Sequence, residues 1–544
     1  MSLSTSMWSG VTGLLAHGDK MGVIGNNLAN VNTVGYKSAR MDFEDLLYTS
    51  IGTGAGNSQL GQGVRAEAIL SDFSQGGFQT TSETTDLAIS GTGFFTVHDR
   101  NNQATYYTRA GNFRFDRDGY LVDPHNYAVQ GWMVDTATLR AMRNNGETVS
   151  QIPMMGSVTD VRLDTLALAA QATTTVTLAS NLDPRTASKS TSSTDPFFSL
   201  FQSYNYNPAR PDDAPLSETA FGFQNTLKIY DQRGGAHDLT VYYDKVSDVS
   251  GREYWEYMVC TNPAADGRQF DVNGAIENMS SNSKAGVLML GTLAFDDAGG
   301  LQNITAYTIN ATSLTSPVSD LGNWTLASVS DSGYPIFTAN FRSVSGGSVP
   351  TASNAVSISL NMGIRSLSST WSTSATSADL IGTSHLSNAS ALQGFDTNAV
   401  TFNNISTTNY EAASAPLFVS QDGYPPGTLQ SVSVSQDGVL TGRYSNGQVQ
   451  ELYVITLADF ASPWGLKRDG GNLFSQTRES GDAVVGRANT GRLGSVASNS
   501  LEASNVDMAR EMVDMIQTQR GFQANSKVIT TADTMLSEVL QLKR

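Results

Sequence analysis

The chain has 544 residues, a net charge of −17, 39% hydrophobic residues and only 15% charged ones. That is material for two to four domains, and acidity with no block of Lys or Arg argues against a nucleic-acid partner. The single cysteine, Cys260, excludes an internal disulfide framework and a four-cysteine zinc site.

The first residues show no basic stretch followed by a long apolar core, so the expectation is a protein that leaves the cell, if it does, without a cleaved signal. No stretch approaches the roughly 18 apolar residues of a spanning helix, so membrane insertion is not expected. Met7, Leu14, Met21 and Leu28 recur at intervals of seven, and Val11, Leu15, Ile24 and Val31 widen that face. A seven-residue repeat keeps one seam toward a partner helix. Gly10, Gly13, Gly18, Gly22 and Gly25 weaken the helix, which is marginal without such a partner. The pattern then runs into "NNLANVNTVGYK" at 26–37. Asn30 and Asn32 compete for backbone hydrogen bonds, and Gly35 suits a left-handed stop. The helix is expected to end here and to hand over to a linker.

The middle reads as β-structure. "AGNFRFDRDGYLVD" (110–123) alternates Phe113 and Phe115 and turns at Asp118–Gly119. Ser/Thr-rich stretches at 187–194 and 367–378 read as loops or domain junctions, and 196–215, rich in aromatics and proline, as an insertion. Residues 226–245 form a hairpin turning near Gly234–Gly235. At 431–457, Asp437–Gly438 and Asn446–Gly447 supply the positive φ of two tight turns, giving a three-stranded meander.

Near the C-terminus Met508, Met515, Phe522, Ile529 and Leu536 again fall at intervals of seven. Met512 and Leu540 extend the stripe, and Gln519, Ser526 and Asp533 interrupt its companion positions. Ser504 with Asp507 reads as a variant capping box, and Lys543–Arg544 suits the negative end of the helix dipole. Helical ends that must meet, with β-structure between them, imply nested domains through which the chain goes out and returns.

Catalytic chemistry is not legible. The five histidines are scattered, and Gly91–Thr92–Gly93 lacks the third glycine of a dinucleotide fingerprint. A calcium loop around Asp116–Gly119 fails at Arg114 and His125. Asp212–Asp213 and Asp296–Asp297 read as solvated turns. No cofactor, metal or enzymatic role is expected; a structural or interaction protein is.

Four segments then carry a resemblance. "NNLANVNTVGYKSAR" (26–40), "DLAISGTGFFTV" (86–97) with "YTRAGNFRFDRDGYLVD" (107–123), and "LEASNVDMAREMVDMIQTQRGFQANSKVITTADTML" (501–536) resemble the signatures of the bacterial flagellar rod, hook and hook-associated family. Within it, 229–245 and 422–466 are similar to hook subunits. The resemblance implies a self-assembling subunit of a curved hollow tube that passes torque from rod to filament as a universal joint. It implies rod, hook-cap and hook–filament junction proteins as partners, export unfolded through the flagellar type III apparatus, and a location in the extracellular hook. Terminal helices would polymerise through Met7, Leu14, Met21, Leu28, Met508, Met515, Phe522, Ile529 and Leu536, and be disordered before assembly.

The expected architecture is mainly β with nested domains. A coiled-coil inner domain comprises 1–40 and 500–544, a linker with extended or hairpin structure 41–72, a β-rich middle domain 73–165 with 396–499, and one or two β-rich outer domains 166–395. Since some hook proteins of spirochaetes are joined by lysinoalanine, Lys245 and Cys260 are candidates for an intersubunit crosslink; the alternative is a lone buried thiol. The competing functions are another axial protein, such as a distal rod protein, and a secreted β-rich adhesin.

Overall fold

The computed structural model describes residues 3–53, 56–144, 151–163, 166–192, 194–246, 253–311, 313–342, 355–381, 392 and 394–542. The chain is mainly β, with a long helix near each end, and divides into two compact units, Met1–Leu166 with Leu429–Arg544, and Ala167–Thr428. The second is inserted into the first, so the nesting expected from the helical ends is present.

In the first unit the N-terminal helix (Leu3–Ala29) packs along the C-terminal helix (Met508–Leu542). The pairing is antiparallel: Gly10 faces Ile529, Gly13 faces Asn525, His17 lies over Gly521, and Asn27 reaches Glu511. Glycines make this close approach possible. A Cβ on Gly13 would stand 2.8 Å from the Asn525 amide, and one on Gly521 2.7 Å from the His17 ring. Each helix therefore lodges a side chain in a notch of the other, and the register is fixed by shape. Gly18, Gly22 and Gly25 face open space. Their replacement by alanine is expected to stabilise the subunit by up to about 1 kcal/mol each, since glycine only weakens a helix where nothing needs the room. Gly13→Ala should instead lower stability, and thermal unfolding separates the two sets.

The C-terminal helix begins later than the capping box at Ser504 implies. Asp507 is itself the cap, accepting from the amides of Ala509 (2.9 Å) and Arg510 (3.3 Å). Residues 500–502 are not helical but form the strand Ser500–Glu502, paired with Phe78–Thr80. Lys543–Arg544 lies outside the described residues.

Residues 39–71 are more than a linker. Strands Ala39–Asp45 and Val64–Ser71 form an antiparallel ribbon, extended by Tyr48–Thr53 with Gly56–Gly61. The ribbon lies on the N-terminal helix: Phe43 meets His17 edge-on at 5.6 Å, and the Val64 amide donates to Thr12 Oγ1.

The β-body of this unit interleaves chain from before and after the insertion. Ala128–Val134 pairs through 128–129 with Phe94–Asp99 and through 131–133 with Val449–Asp459, the last strand of the meander, and these two partners also pair with each other. The meander turns at Gly438 and Gly447, at φ of 74° and 80°. Leu87, Ile89, Phe95, Val97, Val129, Ile455 and Leu457 fill the core beneath.

The second unit holds a six-stranded sheet running Phe223–Tyr230, Ala236–Lys245, Tyr254–Thr261, Val287–Phe295, Leu301–Thr308 and Thr325–Leu326. Its second sheet centres on Thr175–Asn181, parallel to Val356–Asn361 and antiparallel to Ala415–Gln421. The latter pairing carries 396–428 into this unit, so the boundary expected at 395 falls at 428. The chain between 167 and 428 forms one unit rather than two. The aromatic segment at 196–215 is not a loose insertion: Phe197, Phe198, Leu200, Phe201 and Tyr204 are buried against Trp324 and Tyr307.

Candidate functional site

Two features of the first unit position its ends: the helix pair and the corner where the N-terminal helix stops. In the pair, the face of the C-terminal helix turned from solvent carries Met515, Thr518, Phe522, Asn525, Ile529, Ala532 and Leu536. Met515, Phe522, Ile529 and Leu536 are the expected stripe, but its companions are Thr518, Asn525 and Ala532, one position before the residues picked from sequence. Met508 is 53% exposed, and Met512 and Leu540 point outward rather than extending the seam. On the N-terminal helix Met7, Leu14, Met21 and Leu28 are only half-buried, and the deepest face is Gly10, Gly13, Ala16, Ile24 and Asn27. About half of the seam is small or polar residues, which a search for hydrophobic repeats passes over.

At the corner, Asn30 ties down the last turn: its Nδ2 donates to the Asn26 carbonyl (2.9 Å) and its Oδ1 accepts from Thr33 (3.1 Å). Asn32 is exposed. Gly35 has φ of 67°, and its amide donates to the Glu502 carbonyl at 2.7 Å. Asn27, which sequence reasoning did not single out, organises the corner. Its Nδ2 donates to the Ala39 carbonyl (2.8 Å) and to Glu511 Oε1 (3.0 Å), while its Oδ1 accepts from the Ala39 amide (2.9 Å) and Tyr36 (3.3 Å). A fully buried amide thus joins both helices to the start of the ribbon.

Below it lies a buried ion network. The Lys37 ammonium meets Glu502 Oε1 at 2.6 Å and donates to the Ser74 carbonyl at 2.7 Å. Arg109 approaches Glu502 Oε2 at 3.4 Å, donates to the Gly91 carbonyl at 2.8 Å and lies over the Phe94 ring. The Gly76 amide adds a third donor to Glu502. Burial pulls both cations below their ordinary pKa values, and Glu502 opposes the shift in each. Asn505 accepts from the Ser38 amide (2.8 Å) and donates to the Asp72 carbonyl (2.9 Å), and Arg468 donates to the Lys37 carbonyl (2.7 Å). Residues 37, 109 and 502 come from the three sequence signatures, so these signatures meet at one point.

The structure does not bring Lys245 and Cys260 together. Lys245 pairs across its sheet with Trp255 and Cys260 with Thr240, five residues along, which is about 17 Å. The Lys245 ammonium is held by the Pro184 carbonyl (2.6 Å) and Glu253 (3.2 Å). Cys260 is 4% exposed, and burial pushes its thiol pKa well up. It is therefore expected to react with a maleimide only after unfolding; labelling of the native subunit at the rate of a free thiol would contradict this placement.

The first unit is thus a β-body whose two ends are stapled by paired helices and one ion network, with a β-unit inserted in its chain. Family models match in the same order: flagella basal body rod protein over 7–37, flagellar hook protein FlgE/F/G D1 domain over 88–171, flagellar basal body protein FlaE D2 domain over 201–424, and flagellar basal body rod FlgEFG protein C-terminal over 497–542. The flagellar hook protein FlgE of Treponema pallidum is 31% identical over 553 residues, with 99% of each chain covered. That of Salmonella typhimurium is 28% identical over 534 residues, with 98% of each covered. The crystal structure of Helicobacter pylori flagellar hook protein FlgE2 is similar over 78% of this chain and 100% of that one, at 14% identity and a TM-score of 0.44. The chain belongs to the flagellar hook protein family and is a structural subunit of the bacterial flagellar hook.

Proposed function

We propose that the subunit polymerises by heterologous, non-closing contacts between terminal helix pairs, giving a curved hollow tube that joins rod to filament and transmits torque while bending. The observation that carries this is the outer surface of the pair. Trp8 (60%), Leu15 (61%), Val528 (45%), Met535 (50%), Val539 (54%) and Leu540 (66%) all face solvent in the lone subunit. A mostly apolar groove of about 520 Å³, lined by Ser6, Ala524, Lys527, Val528, Thr531, Ala532 and Met535, lies on the same pair. So much exposed apolar surface marks an interaction site, and neighbouring helix pairs are its natural cover.

The half-buried Met7, Leu14, Met21 and Leu28 flank this surface and take part in the contacts. The outer unit slides against its neighbours while the inner helices hold. Export is through the flagellar type III apparatus, with rod, hook-cap and junction proteins bound at the ends of the tube. The test is Trp8→Ser with Leu15→Ser. Both positions are exposed, so the fold should change by no more than about 0.5 kcal/mol, while tube formation by concentrated protein should be lost. Tubes formed as by the unaltered chain would remove the helix pair from the polymer contact.

A lysinoalanine link at Cys260 would need the thiol to leave the core during assembly. Heating purified hooks in SDS and reductant tests it: complete dissociation to monomer, or a ladder that persists in Cys260→Ala, would dispose of the link.

A further inference from the structure

In the inserted unit, Asp244 and Glu256 are direct cross-strand partners, and both are buried, at 0% and 2% exposure. One serine hydroxyl stands between them: Ser190 Oγ lies 2.9 Å from Asp244 Oδ2 and 2.8 Å from Glu256 Oε1. A hydroxyl carries one hydrogen, so it cannot donate to two carboxylates. One of the two acids must bring a proton of its own.

The other contacts decide which. Asp244 also accepts from the backbone amides of Lys189 (2.9 Å) and Ser190 (2.7 Å), which favours its ionised form. Glu256 accepts from the Leu200 amide at 3.0 Å through its other oxygen, with a weaker contribution from the Ser199 amide. The chain is therefore Glu256 O–H to Ser190 O–H to the Asp244 carboxylate. The cations nearby do not neutralise it. Lys189 is exposed and contributes its amide, and the Lys245 ammonium is occupied by Pro184 and Glu253. Lys284 holds the far end of the same segment, donating to the Phe201 and Tyr204 carbonyls.

We propose that the proton shared by Glu256 and Asp244 through Ser190 latches the aromatic segment 189–204 onto the sheet, and that rising pH weakens the latch. When base removes the proton, two buried anions are left with one hydroxyl hydrogen between them, and the Ser190 and Leu200 anchors face uncompensated charge. What is released carries Phe197, Phe198, Phe201 and Tyr204, part of the filling of one of the unit's cores. Burial raises the Glu256 pKa to about 8, with Asp244 adding to the shift. Since this value lies above the unfolded one, the contribution to stability is complete at acid pH and is lost as pH rises through about 8.

The experiment is hydrogen exchange of peptides from 189–204 in the full chain, corrected for intrinsic rates, between pH 6.5 and 9.5. Protection should fall by up to about tenfold per pH unit from pH 6.5 to about 8 and level off above it. Glu256→Gln, whose amide can donate to Ser190 at any pH, should abolish the fall. Asp244→Asn, which removes the second anion, should lessen the fall, and serves if the glutamine variant folds poorly. Unchanged protection to pH 9.5 in the native sequence, or the same loss in both variants, would overturn the latch. Lys284 is present in all three proteins, so its own titration cancels in the comparison.

Discussion

Glu502→Ala is expected to destabilise the first unit by about 3–5 kcal/mol, the cost of leaving buried charges without their partner. Glu502 has 0% side-chain exposure and is the common counter-ion of Lys37 (0%) and Arg109 (4%). Without it two cations face each other in a site closed to water, and the Gly76 amide loses its acceptor. Glu502→Gln should fall between, keeping an acceptor for the donors but no charge. Urea unfolding of the full chain, followed by a signal from the first unit, reads the difference. A change below about 1 kcal/mol would mean that water reaches the network or that the corner rearranges. A large loss has a consequence for assembly. The network ties the exit of the N-terminal helix to the strand that leads into the C-terminal one, so both helices should lose their common footing.

Gly35→Val should be nearly as damaging, at about 3 kcal/mol, and in the lone subunit. At φ of 67° a β-branched residue is strained by roughly 1–2 kcal/mol. Its Cβ would also stand 2.5 Å from the Ala110 amide nitrogen and 2.7 Å from the Arg109 carbonyl carbon, backbone atoms that cannot step aside. The sequence alone reads Gly35 as a left-handed helix stop. The structure shows that the glycine is also the contact that lets the corner lie against 109–110. Gly35→Asn discriminates between the two causes. Asparagine tolerates the left-handed conformation but still carries the Cβ, so it should remain destabilising. Recovery to the stability of the unaltered chain would show that conformation, not space, demands the glycine.

The fold was most legible where local chemistry decides it. Asp437–Gly438 and Asn446–Gly447 mark the meander turns because few residues other than glycine accept those φ values, and Asp118–Gly119 does the same at φ of 84°. The nesting followed from two helical ends that need each other. The limits were equally physical. Half of the helix seam is Thr518, Asn525, Ala532 and paired glycines, whose fit rests on shape and has no hydrophobic signature. The boundary near 395 was misplaced because Ala415–Gln421 joins a strand more than 230 residues earlier, at Thr175–Asn181. The ion network was hidden for the same reason: Lys37, Arg109 and Glu502 are unremarkable singly, and only the fold shows that they share one site. Asn27 was visible as part of an asparagine-rich stretch, yet nothing local distinguishes it from Asn30 or Asn32. What sets it apart is that it points into the joint between helices and ribbon.

The most direct test of the central claim is negative-stain electron microscopy of the purified, concentrated chain beside a version lacking 508–542. A hook subunit that polymerises through its terminal helix pair should give curved hollow tubes, and the shortened chain should give none. Tubes from the shortened chain, or none from either under conditions where the full chain stays folded, would contradict the account.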